Sequence, residues 1–309
     1  MKAQRTLLLL VTLAASSPAF AQQGAPAAQP VNAGAQTPAS LPDLSGIWRH
    51  YSLPWLIAPT SGPGPVLNLA RRKEDGQSDY GELVGDYKNP ILQPWAAEVV
   101  RKKGELSRAH IIYPNPHNQC WPEPMPFVFK SLAMQMLQAP KQLVMLFNQQ
   151  SEYRFIRMND THPAKITPSW RGDAVGHYEG DTLVVDTIGV RTGHPFGMVD
   201  LFGTPYTEKL HVVERYRLRD YANVKVLLDR STKENWKPQG PYPNPANYKD
   251  KYLQLDLTIE DEGAFTMPWN AHMVFLRERA EWQESVCQEN RFEFPSQENH
   301  IPAAERLDF

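Results

Sequence analysis

Apolar and polar residues alternate with a period of two through most of the chain beyond residue 125. This pattern is typical of strands with one face in a core, because successive side chains point to opposite sides. It predicts an antiparallel meander with enough strands to close into a barrel or stack as a sandwich. The predicted strands are Gln142 to Phe147, Tyr153 to Met158, the hairpin Asp173 to Thr187, Leu210 to Leu218, Val224 to Asp229, Leu253 to Ile259, His272 to Arg277 and Glu281 to Val286.

Helical periodicity is weak, and its best candidate is the segment Trp95 to Glu105. Pro94 stands where proline favours the start of a helix, and Trp95, Val99 and Val100 share a stripe.

Proline is abundant, with 28 residues in the chain, and it clusters in the connections between predicted strands. Because proline donates no hydrogen bond to a ladder, these clusters predict long loops. Such loops surround a ligand cavity or only cover the ends of a barrel. The clusters are Pro54 to Pro65, Pro114 to Pro126 and Pro238 to Pro245.

The segment Gly176 to Thr187 is the most informative stretch of the sequence and reads as a tight hairpin. Gly180 and Asp181 suit its turn, and a two-residue loop places His177 and Asp186 on one face. An imidazole oriented by a carboxylate predicts a catalytic acid or base near neutral pH. The alternative is a cross-strand hydrogen bond that only stiffens the sheet.

Glu214 is the third predicted catalytic residue, because it shares the more apolar face of its strand with Val212 and Tyr216. A buried carboxylate is costly unless it is paired or protonated, so Glu214 is either an acid or base or the partner of an arginine. His211 belongs to the opposite face of the same strand and is predicted to contact substrate.

Three further residues are predicted to bind substrate. Arg171 is suited to holding a carboxylate with two hydrogen bonds, unless it only forms a surface ion pair with Asp173. Trp170 and Trp269 offer aromatic surface to an apolar ligand, unless they belong to the core.

Two sets of residues resemble known protein families. Gly46-Ile47-Trp48 resembles the opening of lipocalins and other calycin barrels, which implies that Trp48 plugs the closed end with Arg277 packed on it. A larger set of segments resembles an uncharacterised family of exported bacterial β-rich proteins, for which no general activity is established. That resemblance implies the fold and export. It rests on 43–48, 168–187, 210–216, 258–265, 268–269 and 282–290.

The N-terminus predicts export to the periplasm or the exterior. Lys2 and Arg5 precede a short apolar run, and a small-residue cleavage site ends at Ala21, so residues 1–21 read as a signal peptide. A retained membrane anchor is the alternative, although the run is short for a bilayer. Residues 22–42 read as a disordered linker and 43–309 as one β-rich domain. In an oxidising compartment Cys120 and Cys287 are expected to form a disulfide rather than a catalytic thiol.

Net charge and the absence of several known motifs limit the partners, cofactors and reactions that the sequence supports. A net charge of −2 argues against nucleic-acid partners. The sequence contains no phosphate-binding or dinucleotide-binding motif, so we expect no cofactor. The histidines lack the spacing of a metal site, and no nucleophile elbow indicates a serine hydrolase.

Two functions follow from the sequence. The first is a cofactor-independent lyase, isomerase or hydratase acting on a small apolar or aromatic molecule in a barrel cavity. The alternative is a non-catalytic periplasmic carrier of a small hydrophobic ligand. A structural envelope protein without a cavity is the third interpretation. The oligomeric state does not follow from the sequence.

Overall fold

The computed structural model describes residues 41–50, 56–234, 248–279, 282 and 285–287. The predicted signal peptide and nearly all of the predicted linker lie outside the described residues, as does the cluster Pro238 to Pro245. The predicted last strand, Glu281 to Val286, also lies mostly outside them.

Within the described residues, nine strands form one closed barrel, in which each strand pairs with the next and the last pairs with the first. The predicted mainly-β, lipocalin-like barrel is therefore confirmed. The strands are β1 Gly46–His50, β2 Ala133–Gln138, β3 Gln142–Phe147, β4 Glu152–Met158, β5 Asp173–Glu179, β6 Thr182–Ile188, β7 His211–Arg219, β8 Tyr252–Glu260 and β9 Trp269–Glu278.

One pair of strands departs from the predicted antiparallel meander. β4 and β5 run parallel and share a ladder of only two residue pairs, Arg157 with Val175 and Met158 with Gly176. All the other neighbouring strands of the barrel are antiparallel. Because parallel neighbours need a crossover, the chain from Asn159 to Gly172 returns along the barrel before β5 begins.

Trp48 of β1 is buried and is covered by Arg277 of β9. Its side chain is fully buried, and its indole N–H donates to the Leu44 carbonyl at 2.9 Å. The Arg277 guanidinium lies 4.6 Å from the Trp48 ring centroid and donates to the Ser45 carbonyl at 2.9 Å. The predicted packing of Arg277 on Trp48 is confirmed.

The inner face of the barrel is filled by large side chains. Met145 of β3, Tyr216 of β7 and Phe275 of β9 are almost fully buried and belong to one continuous hydrophobic cluster. The apolar members of the alternating pattern therefore form a packed core, which stabilises the barrel by removing apolar surface from water.

The helix predicted near Trp95 is confirmed as α1, Pro94–Arg108, with proline in its first turn. Its buried stripe differs from the predicted one and consists of Ala96, Val100 and Gly104. Trp95 is 45% exposed, and its indole N–H donates to the Gly263 carbonyl at 2.7 Å.

The strand predicted at Val224 to Asp229 is wrong, because these residues belong to α2, Tyr221–Glu234. Val224, Leu227 and Leu228 recur at helical spacing and pack on Tyr252 and Val274 of the barrel. Burial of this single face selects the helix, since a strand would have turned Leu227 and Leu228 to opposite sides. None of the described helices combines the length and apolar character that crossing a bilayer requires.

Gly46 combines a positive φ with a close approach to the Arg277 side chain. Its φ is +132°, and a Cβ there would lie 2.8 Å from the Arg277 guanidinium. We expect Gly46→Ala to lower the free energy of unfolding by about 3 kcal/mol, measured by urea denaturation. Gly76→Ala is the matched control, because Gly76 also has positive φ but no atom within 4 Å of its Cβ position. It should cost about 1 kcal/mol, and equal losses would contradict the close-approach argument.

Candidate functional site

The seam between β4 and β5 holds the most promising cleft. Since these strands pair only near Arg157 and Met158, the earlier part of β4 separates from the chain that leads into β5. The opening is a cleft of about 570 Å³. One wall is 151–157, the other is 169–174, and Pro122 contributes from the second proline-rich segment. Two predicted substrate-binding residues, Trp170 and Arg171, line it.

Aromatic side chains contribute to both walls. Tyr153 and Phe155 point outward from β4, are 59% and 51% exposed, and have ring centroids 5.2 Å apart. Trp170 of the other wall makes edge contacts with Trp121 and His194, at centroid distances of 5.8 and 4.4 Å. The cleft therefore offers flat apolar surface that remains accessible to a ligand.

Arg171 carries the charge of the second wall. It forms an ion pair with Glu152, and each of the two side chains is 12% exposed. Burial lowers the pKa of Arg171 to about 10, although the nearby Glu123 carboxylate acts in the opposite direction. The sequence left open a surface ion pair between Arg171 and Asp173, and the structure does not contain it. Asp173 instead accepts hydrogen bonds from Arg157 and His162.

Glu214 lies inside the barrel. Of the two alternatives from the sequence, an acid or base or the partner of an arginine, the structure contains the arginine pair. Arg154 of β4 reaches it with two hydrogen bonds of 2.8 and 2.7 Å. The Tyr216 hydroxyl donates to the same carboxylate at 2.6 Å, and the Thr187 hydroxyl donates at 3.3 Å. Burial, reinforced by Glu214, raises the pKa of Tyr216 well above its usual value, so this hydroxyl remains a donor. These four contacts engage both carboxylate oxygens and favour a structural role.

The hairpin has the predicted register, but His177 and Asp186 do not contact each other. His177 stands opposite Val184 on the outer face of the barrel, and its Nε2 lies 3.2 Å from Glu179. Asp186 instead contacts the Nε2 atoms of His162 and His211, both at 3.0 Å. His211 also lies on the outer face, so none of these hairpin contacts reaches Glu214, which lies inside the barrel.

Trp269, the last predicted substrate contact, is a core residue. Its side chain is 1% exposed and packs edge-on against Phe265 at a centroid distance of 5.6 Å. The structure thus brings Trp170 and Arg171 to one cleft. The predicted catalytic residues His177, Asp186 and Glu214 are not brought together, and their catalytic roles stay predictions.

A buried charge network beside the cleft was missed at the level of sequence. Glu123 is fully buried and lies 3.1 Å from Lys130 and 3.2 Å from His117, while its backbone N–H donates to Glu152 at 3.0 Å. Burial lowers the pKa of Lys130, and Glu123 opposes this shift. The prolines on either side of Glu123 indicate a rigid loop, but they carry no sign that its carboxylate is buried.

Cys120 and Cys287 lie at disulfide distance, with their sulfur atoms 2.11 Å apart, which confirms the predicted pairing. The link joins residues 167 positions apart. The proline-rich segment with Cys120 also contributes Pro122 to the cleft. The disulfide therefore links this segment to a distant part of the chain.

Among the described residues, no group of three or more His, Cys, Asp or Glu side chains is arranged to hold a metal ion. Comparison of the chain with protein-family models, curated proteins and solved structures gave no match. The geometry of the cleft is therefore the basis for proposing a function.

Breaking the pair between Glu214 and Arg154 should destabilise the fold. Glu214→Gln leaves a buried guanidinium without its counter-charge, and we expect a loss of about 3–5 kcal/mol in the free energy of unfolding. Urea denaturation measures the loss, with Glu262→Gln as the control, because the Glu262 side chain is 78% exposed. If Glu214→Gln were as stable as the control, the structural role of the pair would be excluded.

Asp173 should make stability depend on pH. Hydrogen bonds from Arg157 hold the pKa of Asp173 below its ordinary value, and His162 adds to this effect against partial burial. Because the folded-state pKa lies below the unfolded one, near 4, the carboxylate stabilises the fold above pH ~4. This contribution is lost as the pH falls through the folded-state pKa.

Asp173→Asn should therefore lower the urea midpoint more at pH 7 than at pH ~3. Asp181→Asn in the hairpin turn is the control, since Asp181 is exposed. An equal effect of Asp173→Asn at both pH values would contradict the assignment.

Proposed function

We propose that this protein is a non-catalytic carrier that binds a small aromatic molecule in the cleft between β4 and β5. The observation that supports this proposal is the meeting of Trp170 and Arg171 with the exposed rings of Tyr153 and Phe155 around one open cleft. Binding sites of this kind combine apolar walls with a few polar groups that orient the ligand.

The proposed carrier works outside the cytoplasm, in the periplasm or after secretion. The charged and apolar pattern before Ala21 supports export, and so does the pairing of Cys120 with Cys287, because disulfides persist in oxidising compartments.

An acid/base enzyme is the second candidate, and one observation favours it. His117 is half-exposed, and its Nδ1 faces the buried carboxylate of Glu123, which would orient the ring as a general base. The trio His177, Asp186 and Glu214 gives this candidate less support, because its members lie apart. Native mass spectrometry of the protein purified from its own host separates the two: a retained, unmodified ligand favours the carrier.

The carrier proposal predicts binding of a neutral aromatic probe. Isothermal titration calorimetry with 1-naphthalenemethanol should detect one site per chain. The double variant Tyr153→Ala with Phe155→Ala removes both rings and should weaken binding at least about tenfold. Each contact between two aromatic rings contributes about 1 kcal/mol. Both rings are more than half exposed, so their loss should leave the fold intact.

Val226→Ala is the matched control, because Val226 is 57% exposed on α2 and lies outside the cleft. Equal binding by the double variant and the control would exclude the cleft as the carrier site.

A further inference from the structure

Two arginines line the cleft from opposite walls and are more deeply buried than arginine side chains normally are. Arg154 of β4 is 1% exposed, and the Arg171 side chain is 12% exposed. Both residues border the open space of the cleft. Arginine is rarely buried to this extent unless its charge is paired.

The hydrogen bonding of these guanidinium groups is incomplete. In the part of the chain that the structure describes, the Nε of Arg154 and the Nε and Nη1 of Arg171 are buried donors that lack a hydrogen-bond partner. A buried donor without an acceptor destabilises a fold by about 1–3 kcal/mol, and by more when the group is charged. Native proteins keep few such groups, and a bound ligand is one reason to keep them.

The carboxylates that pair with these arginines leave some of the guanidinium donors without an acceptor. Glu214, inside the barrel, accepts from Nη1 and Nη2 of Arg154 but not from its Nε. Glu152, the partner of Arg171, also accepts the backbone N–H of Glu123. Burial lowers the pKa of Arg171 to about 10, and the Glu123 carboxylate only partly opposes this shift. A further anion at the cleft would restore the missing interactions.

We propose that the ligand of this cleft is a small aromatic carboxylate, and that Arg171, supported by Arg154, selects it over neutral aromatic molecules. This inference rests on the proposed carrier function. Guanidinium groups match the planar geometry of a carboxylate and bind it with charge-assisted hydrogen bonds. The rings of Tyr153, Phe155 and Trp170 hold the apolar part of the same molecule.

Two probes that share a naphthalene ring, one with a carboxylate and one with a neutral hydroxymethyl group, test this selection. Isothermal titration calorimetry on the full chain compares 1-naphthoate with 1-naphthalenemethanol. We expect 1-naphthoate to bind at least about tenfold more tightly, in line with one charge-assisted hydrogen-bonded contact. Arg171→Met keeps most of the side-chain volume and should reduce this preference to less than about threefold by removing the charge.

Arg101→Met is the matched control, because Arg101 forms exposed ion pairs on α1 and should leave the preference unchanged. The double variant Glu152→Gln with Arg171→Met removes both charges of the pair, so it keeps the test valid if Arg171→Met alone does not fold. It too should lose the preference.

The outcomes separate the two proposals. If both probes bind the unaltered protein equally, or if the preference survives in both Arg171 variants, the carboxylate inference is overturned while the carrier function stands. If neither probe binds, the carrier proposal fails and this inference fails with it. Preferential binding of 1-naphthoate that is lost only in the Arg171 variants supports both.

Discussion

The parallel join of β4 and β5 is the constraint on which the rest of the structure depends. An antiparallel partner would allow a continuous ladder, but these two strands share only two residue pairs. Even these pairs need a close approach, because a Cβ at Gly176 would lie 3.0 Å from Ile156 and Met158. Beyond this contact the strands separate, and the wall of the barrel opens. The cleft is therefore a consequence of topology rather than of a missing side chain.

The ion pair between Arg154 and Glu214 connects strands on either side of the seam, where the backbone ladder is shortest. Arg154 belongs to β4, on one side of the seam, while Glu214 and Thr187 belong to β7 and β6 on the other. Side-chain hydrogen bonds thus connect strands whose backbones do not pair. A buried ion pair contributes little net stability in general, but removing one partner is costly. Loss of either partner here would leave the other charge buried without its counter-charge.

Local patterns predicted the parts of the fold that depend on neighbouring residues. The alternation around Glu214 placed it on the inner face, and the turn at Gly180 set the register of the hairpin. The resemblance of the Gly-x-Trp segment to the lipocalin opening implied the contact between Trp48 and Arg277, which the structure contains. The apolar run at Val224 was ambiguous, since a short run fits a strand or a helix until its packing partner is known.

The candidate site could be predicted only in part, for the same reason. Arg171 and Trp170 were recognised because both residue types suit ligands, but their location at a cleft follows from the parallel register of β4 and β5. That register brings together segments on either side of a crossover, and no local period in the sequence encodes it. The orientation of Asp186 toward His162 and His211, rather than toward His177, likewise depends on the path of that crossover.

The location of the cleft at the seam also explains how buried arginines and exposed aromatic rings occur side by side. An interior position would require every guanidinium donor to be paired, whereas an outer position would leave each charge screened by water. At the seam, Arg154 and Arg171 are removed from water while Tyr153 and Phe155 remain exposed. The cleft that we propose as the ligand site therefore combines exposed rings with buried guanidinium groups. The proposed aromatic carboxylate has the flat apolar body and the acidic end that suit this combination, whereas a small inorganic anion would gain nothing from the rings.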